Sequence, residues 1–144
     1  MAVTGKIYPL GIVRAYAGDI NADSDTIKCA LLTSSYSPNL QGHQTWADST
    51  VYGKEVSGTG YVAGGKTLTG VTLGLKAGTA IMQFWTNDCE WASSTITARY
   101  AVIYDATTNY LICYIDFGEN KSSVNGLFKL DFSATEGTFQ IENV

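Results

Sequence analysis

The segment TITARYAVIYDATTNYLICYIDFG, residues 95–118, decides the fold of this chain. Alternate residues from Ile96 to Tyr104 are apolar or aromatic, and the return run from Leu111 to Phe117 repeats that pattern. A period of two with β-branched and aromatic residues is typical of a strand. The segment therefore predicts a hairpin with a turn at residues 105–109. Because the second face of each strand is also partly apolar, we expect the hairpin to lie at the centre of the sheet, covered on both sides.

Short strand-like runs separated by polar turns make up most of the remaining sequence. They are residues 10–16, 26–33, 66–75, 80–85, 91–94, 127–132 and 138–144. A single helical turn is expected near residues 46–51, inside a long irregular loop at residues 34–58. Roughly seven to nine short strands at this spacing are typical of β-sandwiches and jelly-rolls. The prediction is an all-β, single-domain β-sandwich or jelly-roll with long loops and little helix.

Length and composition favour one domain that belongs to an assembly. The chain has 144 residues, of which 45% are hydrophobic and 15% charged, and its net charge is −4. The nine Lys and Arg residues are scattered, so no basic stripe predicts nucleic-acid binding. No apolar run reaches the ~18 residues that cross a bilayer, and no membrane association is expected. A surface this poor in charge is explained by polar Thr, Ser and Asn coverage or by burial against partners, and both explanations suit this chain.

The N-terminal segment and the cysteines indicate synthesis in a reducing cytoplasm. The first residues lack the charged and apolar regions of a signal peptide. Cys29 and Cys113 lie in strand-like runs, and Cys89 lies in a predicted turn. An odd set of this kind predicts free thiols rather than a disulfide framework.

Residues 60–67, GYVAGGKT, match the phosphate-binding pattern GxxxxGK[ST]. That chemistry requires a buried strand before the loop and a helix after it. Here the preceding residues 54–59 are not an apolar strand, and the following TLTGVTLGL alternates with a period of two. We interpret the segment as a glycine-rich turn that leads into a strand, and no nucleotide cofactor is expected.

Asp19, Asn21, Asp23 and Asp25 place side-chain oxygens at alternate positions, as a calcium-binding loop does. Ser24 stands where the sharp-turn glycine of such a loop belongs, and the bidentate glutamate is missing. A solvated turn is therefore favoured over a calcium site. The cysteines and the single histidine are too few and wrongly spaced for zinc, so no metal site is predicted.

Catalytic residues are not indicated. His43 lies in a polar loop without a paired nucleophile signature. Asp116 and Glu119 flank Phe117 and Gly118, which we interpret as a strand end that turns into a loop. The chain is not expected to be an enzyme.

Arg99 lies in the middle of the predicted central strand. A buried arginine normally requires a carboxylate or carbonyl partner. Asp116 on the return strand and Glu55 in the long loop are the candidates. We interpret Arg99 and Asp116 as structural residues, with ligand binding by Arg99 as the alternative.

Aromatic residues make up 12% of the chain and raise a carbohydrate-binding alternative. The three tryptophans and nine tyrosines include side chains suited to stacking on sugar faces. Aromatic side chains also anchor cores and protein interfaces, and most of these lie at core-facing or loop positions.

Four segments together resemble a family of small virion proteins from the structural-gene modules of tailed bacteriophages. They are residues 25–38 (DTIKCALLTSSYSP), 55–65 (EVSGTGYVAGG), 95–104 (TITARYAVIY) and 111–118 (LICYIDFG). The resemblance extends over roughly residues 12–141, and it brings no catalytic residues with it.

The resemblance implies a capsid decoration (cement) protein at the capsid surface of the virion. Such a subunit binds the major capsid protein and copies of itself, often as a trimer. Chain ends and long loops commonly reach neighbours, so an N-terminal arm at residues 1–10 and the loop at residues 34–58 are the expected contacts. Residues 11–144 would then form the sandwich. The candidate interface residues are Lys6, Tyr8, Leu10, Tyr36, His43, Trp46 and Tyr52.

The resemblance also admits a tail, neck or head-fibre component, including a carbohydrate-binding adhesin. A neck or tail component would show sixfold or twelvefold ring symmetry, whereas a cement protein predicts threefold contacts. An adhesin would bind sugars through exposed aromatic side chains.

Overall fold

A computed structural model describes residues 2–142 of the chain. Strands occupy 47% of these residues and helices 9%, which confirms the all-β prediction with little helix. The elements in chain order are β1 (Ala2–Val3), β2 (Lys6–Ile7), α1 (Pro9–Tyr16), β3 (Ile27–Leu32), α2 (Ser49–Tyr52), β4 (Lys66–Thr67), β5 (Thr72–Leu75), β6 (Met82–Trp85), β7 (Cys89–Asp105), β8 (Leu111–Phe132) and β9 (Phe139–Ile141).

Within the described residues, these strands form two sheets. The larger sheet has the order β1-β8-β7-β3-β4, and β2 also pairs with β8. The smaller sheet has the order β5-β6-β9. Neighbouring strands are antiparallel except for β1, which pairs with the end of β8 in parallel. The predicted hairpin is therefore central, because β7 and β8 are inner strands of the larger sheet.

The β7–β8 hairpin extends beyond residues 95–118, the segment whose alternating pattern predicted it. Between the pairs Ala98↔Lys121 and Tyr100↔Asp116, β7 advances two residues and β8 advances five. Three extra residues on β8 therefore form a bulge, and Gly118 adopts a φ of +80° there, which favours glycine. The prediction that the strand ends at Gly118 is wrong, because this turn-like segment bends the strand without ending it. The run predicted as a separate strand at residues 127–132 is the second half of β8, and Cys89, predicted in a turn, begins β7.

Both faces of the hairpin are buried near its turn, as predicted. Residues 101–105 of β7 are all buried, although alternate side chains point to opposite faces. One face packs against the smaller sheet in a core that includes Ile103, Cys113, Ile115, Phe84 and Phe139. The other face carries a second cluster of buried residues, namely Tyr8, Ala30, Leu32, Tyr36, Val51, Val102, Tyr104 and Leu111. The long loop and α2 cover this second face. All three cysteines of residues 2–142 are free and buried, in agreement with the expected thiols.

Residues 10–16, predicted as a strand, form helix α1 instead. Pro9 lies in the first turn, where its fixed φ suits a helix and its missing N–H removes no helical hydrogen bond. The short apolar run LGIVRAY fits a helical period as well as a strand period. The helix packs closely on β8, because a Cβ atom at Gly11 would lie only 2.6 Å from the Leu111 carbonyl oxygen.

Three other predicted segments differ in detail. The helical turn expected near residues 46–51 is α2. The run at residues 66–75 forms two separate strands, β4 and β5. Of the strand predicted at residues 138–144, β9 covers the middle, and residues 143 and 144 lie outside the described part.

The first ten residues were predicted to form an arm. From Ala2 onward they pair with β8 through β1 and β2, and Tyr8 is fully buried in the second cluster. Met1 lies outside the described residues. This segment therefore packs against its own sheet rather than projecting from it.

Two carboxyl groups meet where the β7–β8 turn contacts the start of β3. The Asp105 side chain is fully buried, and its Oδ1 accepts a hydrogen bond from the Thr107 amide at 2.8 Å. Its Oδ2 atom has no hydrogen-bond partner among residues 2–142, and the Asp25 carboxyl lies close enough to Asp105 to affect its pKa. Burial and the contact with Asp25 raise the pKa of Asp105. The same contact, with the Asn21 amide, lowers the pKa of Asp25. Asp105 therefore keeps its proton to a higher pH than Asp25 does.

This pair predicts a pH-dependent free energy of unfolding. The raised pKa of Asp105 contributes stability that is complete below about pH 4 and is lost as the pH rises through that pKa. The lowered pKa of Asp25 acts oppositely: its contribution is present above about pH 4 and is lost as the pH falls through that lowered pKa. Asp105→Asn supplies an N–H donor to Asp25 at every pH. We expect it to raise the free energy of unfolding by about 1 kcal/mol at pH 7, and by less at pH 4.

Urea unfolding from pH 4 to pH 8 measures this difference. Asp23→Asn, an exposed substitution in the same loop, is the matched control and should change little. A stability of Asp105→Asn below that of the natural chain at pH 7 would contradict an unfavourable pairing of the two carboxyl groups at that pH.

Candidate interaction surface

Three of the seven predicted interface residues are buried in one polar chain beneath the long loop. The exposed fractions of Tyr8, Tyr36 and His43 are 0%, 2% and 8%. The Tyr8 and Tyr36 hydroxyls are hydrogen-bonded to each other, and the Tyr36 hydroxyl lies 3.1 Å from His43 Nδ1. These three side chains are therefore enclosed by their own chain rather than presented on its surface. They lie inside because the apolar outer face of the hairpin requires a cover.

The hydrogen bonds of His43 fix the direction from donor to acceptor along this series of hydrogen bonds. The Asn39 amide donates to His43 Nδ1 at 3.3 Å, so Nδ1 is an acceptor and the proton lies on Nε2. Nε2 then donates to Thr50 Oγ1 at 3.1 Å, and that hydroxyl donates to Asp48 Oδ1 at 2.6 Å. The hydrogen bonds from the Thr50 side chain and amide lower the pKa of Asp48. The series of hydrogen bonds therefore runs from the buried Tyr8 to the Asp48 carboxylate. It connects the long loop to the sheet.

The other four predicted interface residues lie nearer the surface. Lys6 is exposed, and the exposed fraction of Tyr52 is 48%. Leu10 and Trp46 are half-buried, and the Trp46 ring stacks on Tyr104 with centroids 4.7 Å apart. These four residues do not form one cluster around the apolar groove described below.

Arg99 and Asp116 form the predicted ion pair at the surface of the hairpin. Arg99 Nε donates to Asp116 Oδ1 at 2.7 Å, and Nη2 donates to Oδ2 at 3.3 Å. Both side chains are partly exposed, in contrast to the burial expected of Arg99. The Arg99 guanidinium lowers the pKa of Asp116. The pair links the two strands at the start of the bulge.

The loop at residues 60–67, whose sequence matches the phosphate-binding pattern, surrounds the carboxylate of Glu55. Glu55 Oε1 accepts hydrogen bonds from the Tyr61 hydroxyl at 2.6 Å and from the Gly64 amide at 2.7 Å. The Tyr104 hydroxyl donates to the Gly64 carbonyl oxygen at 2.6 Å. The loop leads into β4 as predicted. Glu55 therefore has a role in the loop and is not the partner of Arg99.

In the turn at residues 19–25, whose sequence resembles a calcium-binding loop, side-chain oxygens accept hydrogen bonds from backbone amides of the same turn. The Asp23 amide donates to Asn21 Oδ1 at 3.1 Å, and the Asn21 amide donates to Asp25 Oδ2 at 2.8 Å. Bonds of this kind are typical of Asx turns. Among residues 2–142, no group of three or more His, Cys, Asp or Glu side chains is arranged to hold a metal ion.

Two of the three tryptophans, Trp46 and Trp91, pack against other aromatic rings of the chain. Trp91 is 4% exposed and packs against Tyr61, with ring centroids 5.9 Å apart. Trp46 is covered by Tyr104, as described above. Tyr16 and Tyr52 are the aromatic side chains with large exposed fractions in the described residues, at 90% and 48%.

An apolar groove of about 540 Å³ lies between α1 and the smaller sheet. Aliphatic and aromatic side chains from α1, the loop after it and strands β2, β5, β6, β8 and β9 line it. The side chains that define it are Ile7, Ile12, Ile20, Met82, Phe84, Ile112 and Ile141. Asn21 and Asp23 are its polar members.

Apolar side chains around this groove are unusually exposed. On α1, the exposed fractions of Val13 and Tyr16 are 57% and 90%. On β5, those of Leu73 and Leu75 are 45% and 67%. Contiguous exposed apolar surface of this kind marks interaction sites in soluble proteins. We call the groove together with these four residues the apolar surface.

Sequence reasoning missed the apolar surface for two physical reasons. The strand prediction for residues 10–16 placed alternate side chains on opposite faces, whereas the helix turns Ile12 and Ala15 toward the groove. The groove also joins side chains more than 100 residues apart, such as Ile7 and Ile141. In the sequence, the leucines within TLTGVTLGL were the residues that could have indicated this surface.

No protein-family model, curated protein or solved structure matches this chain. No helix among residues 2–142 has the length and apolar character needed to cross a bilayer. The candidate site is therefore defined by geometry, and the apolar surface is the strongest candidate for a functional contact.

The buried series of hydrogen bonds predicts that removing one hydroxyl, that of Tyr36, lowers the free energy of unfolding. Tyr36→Phe leaves the buried Tyr8 hydroxyl and His43 Nδ1 without their shared partner. A buried polar group without its partner costs about 1–3 kcal/mol. We expect the free energy of unfolding to fall by that amount in urea titrations.

Tyr52→Phe is the matched control, because it removes the same atom from an exposed side chain. Its effect should stay below about 0.5 kcal/mol. Equal stabilities of the two variants would contradict a stabilising role for the polar chain.

Proposed function

We propose that this chain is a non-enzymatic structural subunit of a tailed-phage particle, and specifically a capsid decoration (cement) protein. Its partners are the major capsid protein and further copies of itself, grouped as a trimer at threefold positions of the capsid surface. The proposal combines the resemblance of four sequence segments with one structural observation. That observation is the exposed apolar surface on a chain with few charges.

The apolar surface suits a contact that gains energy through burial. Burying one large apolar side chain contributes about 1.5–3 kcal/mol. Tyr16 and Leu75 are largely exposed and lie on rigid elements, so ordering them against a partner costs little backbone entropy. A modest interface per subunit is sufficient, because the symmetry of a shell repeats it many times.

The interior of the chain supports a structural role over a catalytic one. The titratable side chains with strongly shifted pKa values, such as Tyr8 and Cys113, are buried in the cores. A buried thiol with a raised pKa is a poor nucleophile. The groove itself is lined mostly by aliphatic side chains, which supply no acid, base or nucleophile.

Cryo-electron microscopy of the source particle tests the location. We expect density for this chain on the outer surface of the head, grouped around threefold positions. Density confined to the tail, neck or a head fibre would instead assign the chain to that structure, and sixfold or twelvefold rings would identify it. A glycan array separates the adhesin alternative, for which sugar binding would depend on Tyr16 or Tyr52.

The apolar surface predicts which substitutions release the subunit from the shell. Tyr16→Glu and Val13→Glu place a carboxylate on the exposed face of α1 without reaching the core. We expect each to weaken binding to particles that lack the subunit by about tenfold or more, since tenfold corresponds to about 1.4 kcal/mol.

Cosedimentation of purified chain with such particles gives the bound fraction. Val62→Glu is the matched control, because Val62 is 74% exposed and lies away from the groove. Equal binding by the control and the α1 variants would exclude the apolar surface as the shell contact.

A further inference from the structure

We infer that two copies of this chain associate through strand β5, which pairs with the β5 of the second copy in antiparallel register around Gly74. This twofold contact goes beyond the proposed function and does not depend on it: it is distinct from the threefold contacts of a trimer, and it uses the β5 leucines of the apolar surface while leaving α1 free for the shell. It is carried by the hydrogen-bonding geometry of an open sheet edge and by the sequence of that edge.

β5 is an end strand of the smaller sheet. Among residues 2–142 it pairs with β6 and with no other strand. The Lys76 amide donates to the Ile81 carbonyl oxygen at 2.8 Å, which marks Lys76↔Ile81 as a hydrogen-bonded pair. Because such pairs alternate along an antiparallel ladder, Leu73 and Leu75 turn their N–H and C=O groups away from β6. Four backbone groups therefore face the open edge.

This edge lacks the usual protection against pairing. Natural sheets protect end strands with charged side chains, proline or a covering segment. Residues 67–75, TLTGVTLGL, carry neither a charge nor a proline. β4, the end strand of the larger sheet, has two residues, and one of them is Lys66. At the opposite end strand, β9, the N-terminal segment lies alongside, because the Gly5 amide donates to the Thr138 carbonyl oxygen at 2.6 Å.

The sequence of β5 is complementary to itself. An antiparallel pair centred on Gly74 sets Leu73 against Leu75 of the second copy and Leu75 against its Leu73. These are the residues with outward backbone groups, so the pair forms four hydrogen bonds. All four leucine side chains then lie on one face, beside the groove, and cover one another. Lys76 lies opposite Thr72 of the second copy, and the two Lys76 residues are about 14 Å apart, so like charges do not oppose each other.

Gly74 provides a direct test, because the pairing places it opposite itself. A Cβ atom at this position would meet only Trp85 Cζ3, at an ordinary 3.6 Å, so Gly74→Cys leaves the fold intact. The two new thiols would lie directly across the pair, where a disulfide fits. Thr72→Cys is the matched control on the same strand, because its two copies would be about 14 Å apart.

Both variants are purified as full-length chains, oxidised mildly at low micromolar concentration, and separated on non-reducing gels. The natural cysteines are buried and should remain unreactive. We expect Gly74→Cys to form the covalent dimer at least about tenfold faster than Thr72→Cys, as the separation of the thiols requires. Equal rates, or no dimer from either variant, would overturn the proposed pairing.

Sedimentation velocity of the natural chain is the second measurement. The expected species has twice the 15.5 kDa mass of one chain. Leu75→Lys brings two like charges to diagonal positions about 7 Å apart, and dimerisation should weaken about tenfold. Val62→Lys, at a similarly exposed position off the strand, should leave dimerisation unchanged. A monomeric natural chain at about 100 μM, a concentration at which even weak pairing is populated, would overturn the proposal.

Discussion

The pairing of β7 with β8 positions both cores, because these two strands present apolar side chains to opposite sides of the larger sheet. On one side they bury Ile103 and Cys113 against the smaller sheet. On the other they bury Val102 and Tyr104 beneath the long loop. Neither cover could be removed without exposing a face of the same two strands. The hairpin therefore couples the stability of the loop to that of the smaller sheet.

The cover of the second face differs in chemistry from the first core. In the core between the sheets the contacts are apolar, and the Phe84 and Phe139 rings that the smaller sheet contributes to it stack with centroids 4.8 Å apart. Beneath the loop, tyrosine hydroxyls and one histidine are buried as well, and each needs a directional partner. The series of hydrogen bonds that starts at Tyr8 and ends at Asp48 gives each of these groups a partner. Directional bonds of this kind select one placement of the loop, where apolar packing alone would tolerate several.

The parts of the fold that could be predicted from the sequence are those with a local signal. Strict alternation around Tyr100 and Ile115 predicted the hairpin, and the apolar second face predicted its central position. The Arg99–Asp116 pair followed from the register of the same two strands. A single helical turn near Val51 was also predicted. In each case neighbours in sequence or in one hairpin determine the outcome.

The parts that could not be predicted depend on tertiary contacts. The run at residues 10–16 suits a helix or a strand, and its close packing at Gly11 against β8 decides between them. The turn-like residues after Phe117 bend a strand that continues, because the pairing on either side is strong enough to enclose a bulge. The loop residues chosen as contacts, such as Tyr36 and His43, are buried because the sheet beneath them is apolar. The groove joins residues that only the complete fold brings together.

The pairing of the N-terminal residues with β8 has a consequence for the shape of the hairpin. Ile7 pairs with Cys113, and Ala2 pairs with Asp131. Between Cys113 and Asp131 a straight strand would extend about 60 Å, whereas the stretch from Ala2 to Ile7 reaches at most about 18 Å. The two ends of β8 must therefore curve toward each other, with the N-terminal residues as the chord of the arc. The pairing of the first residues and the curvature of the longest strand are therefore geometrically linked, because both pairs could not form on a straight β8.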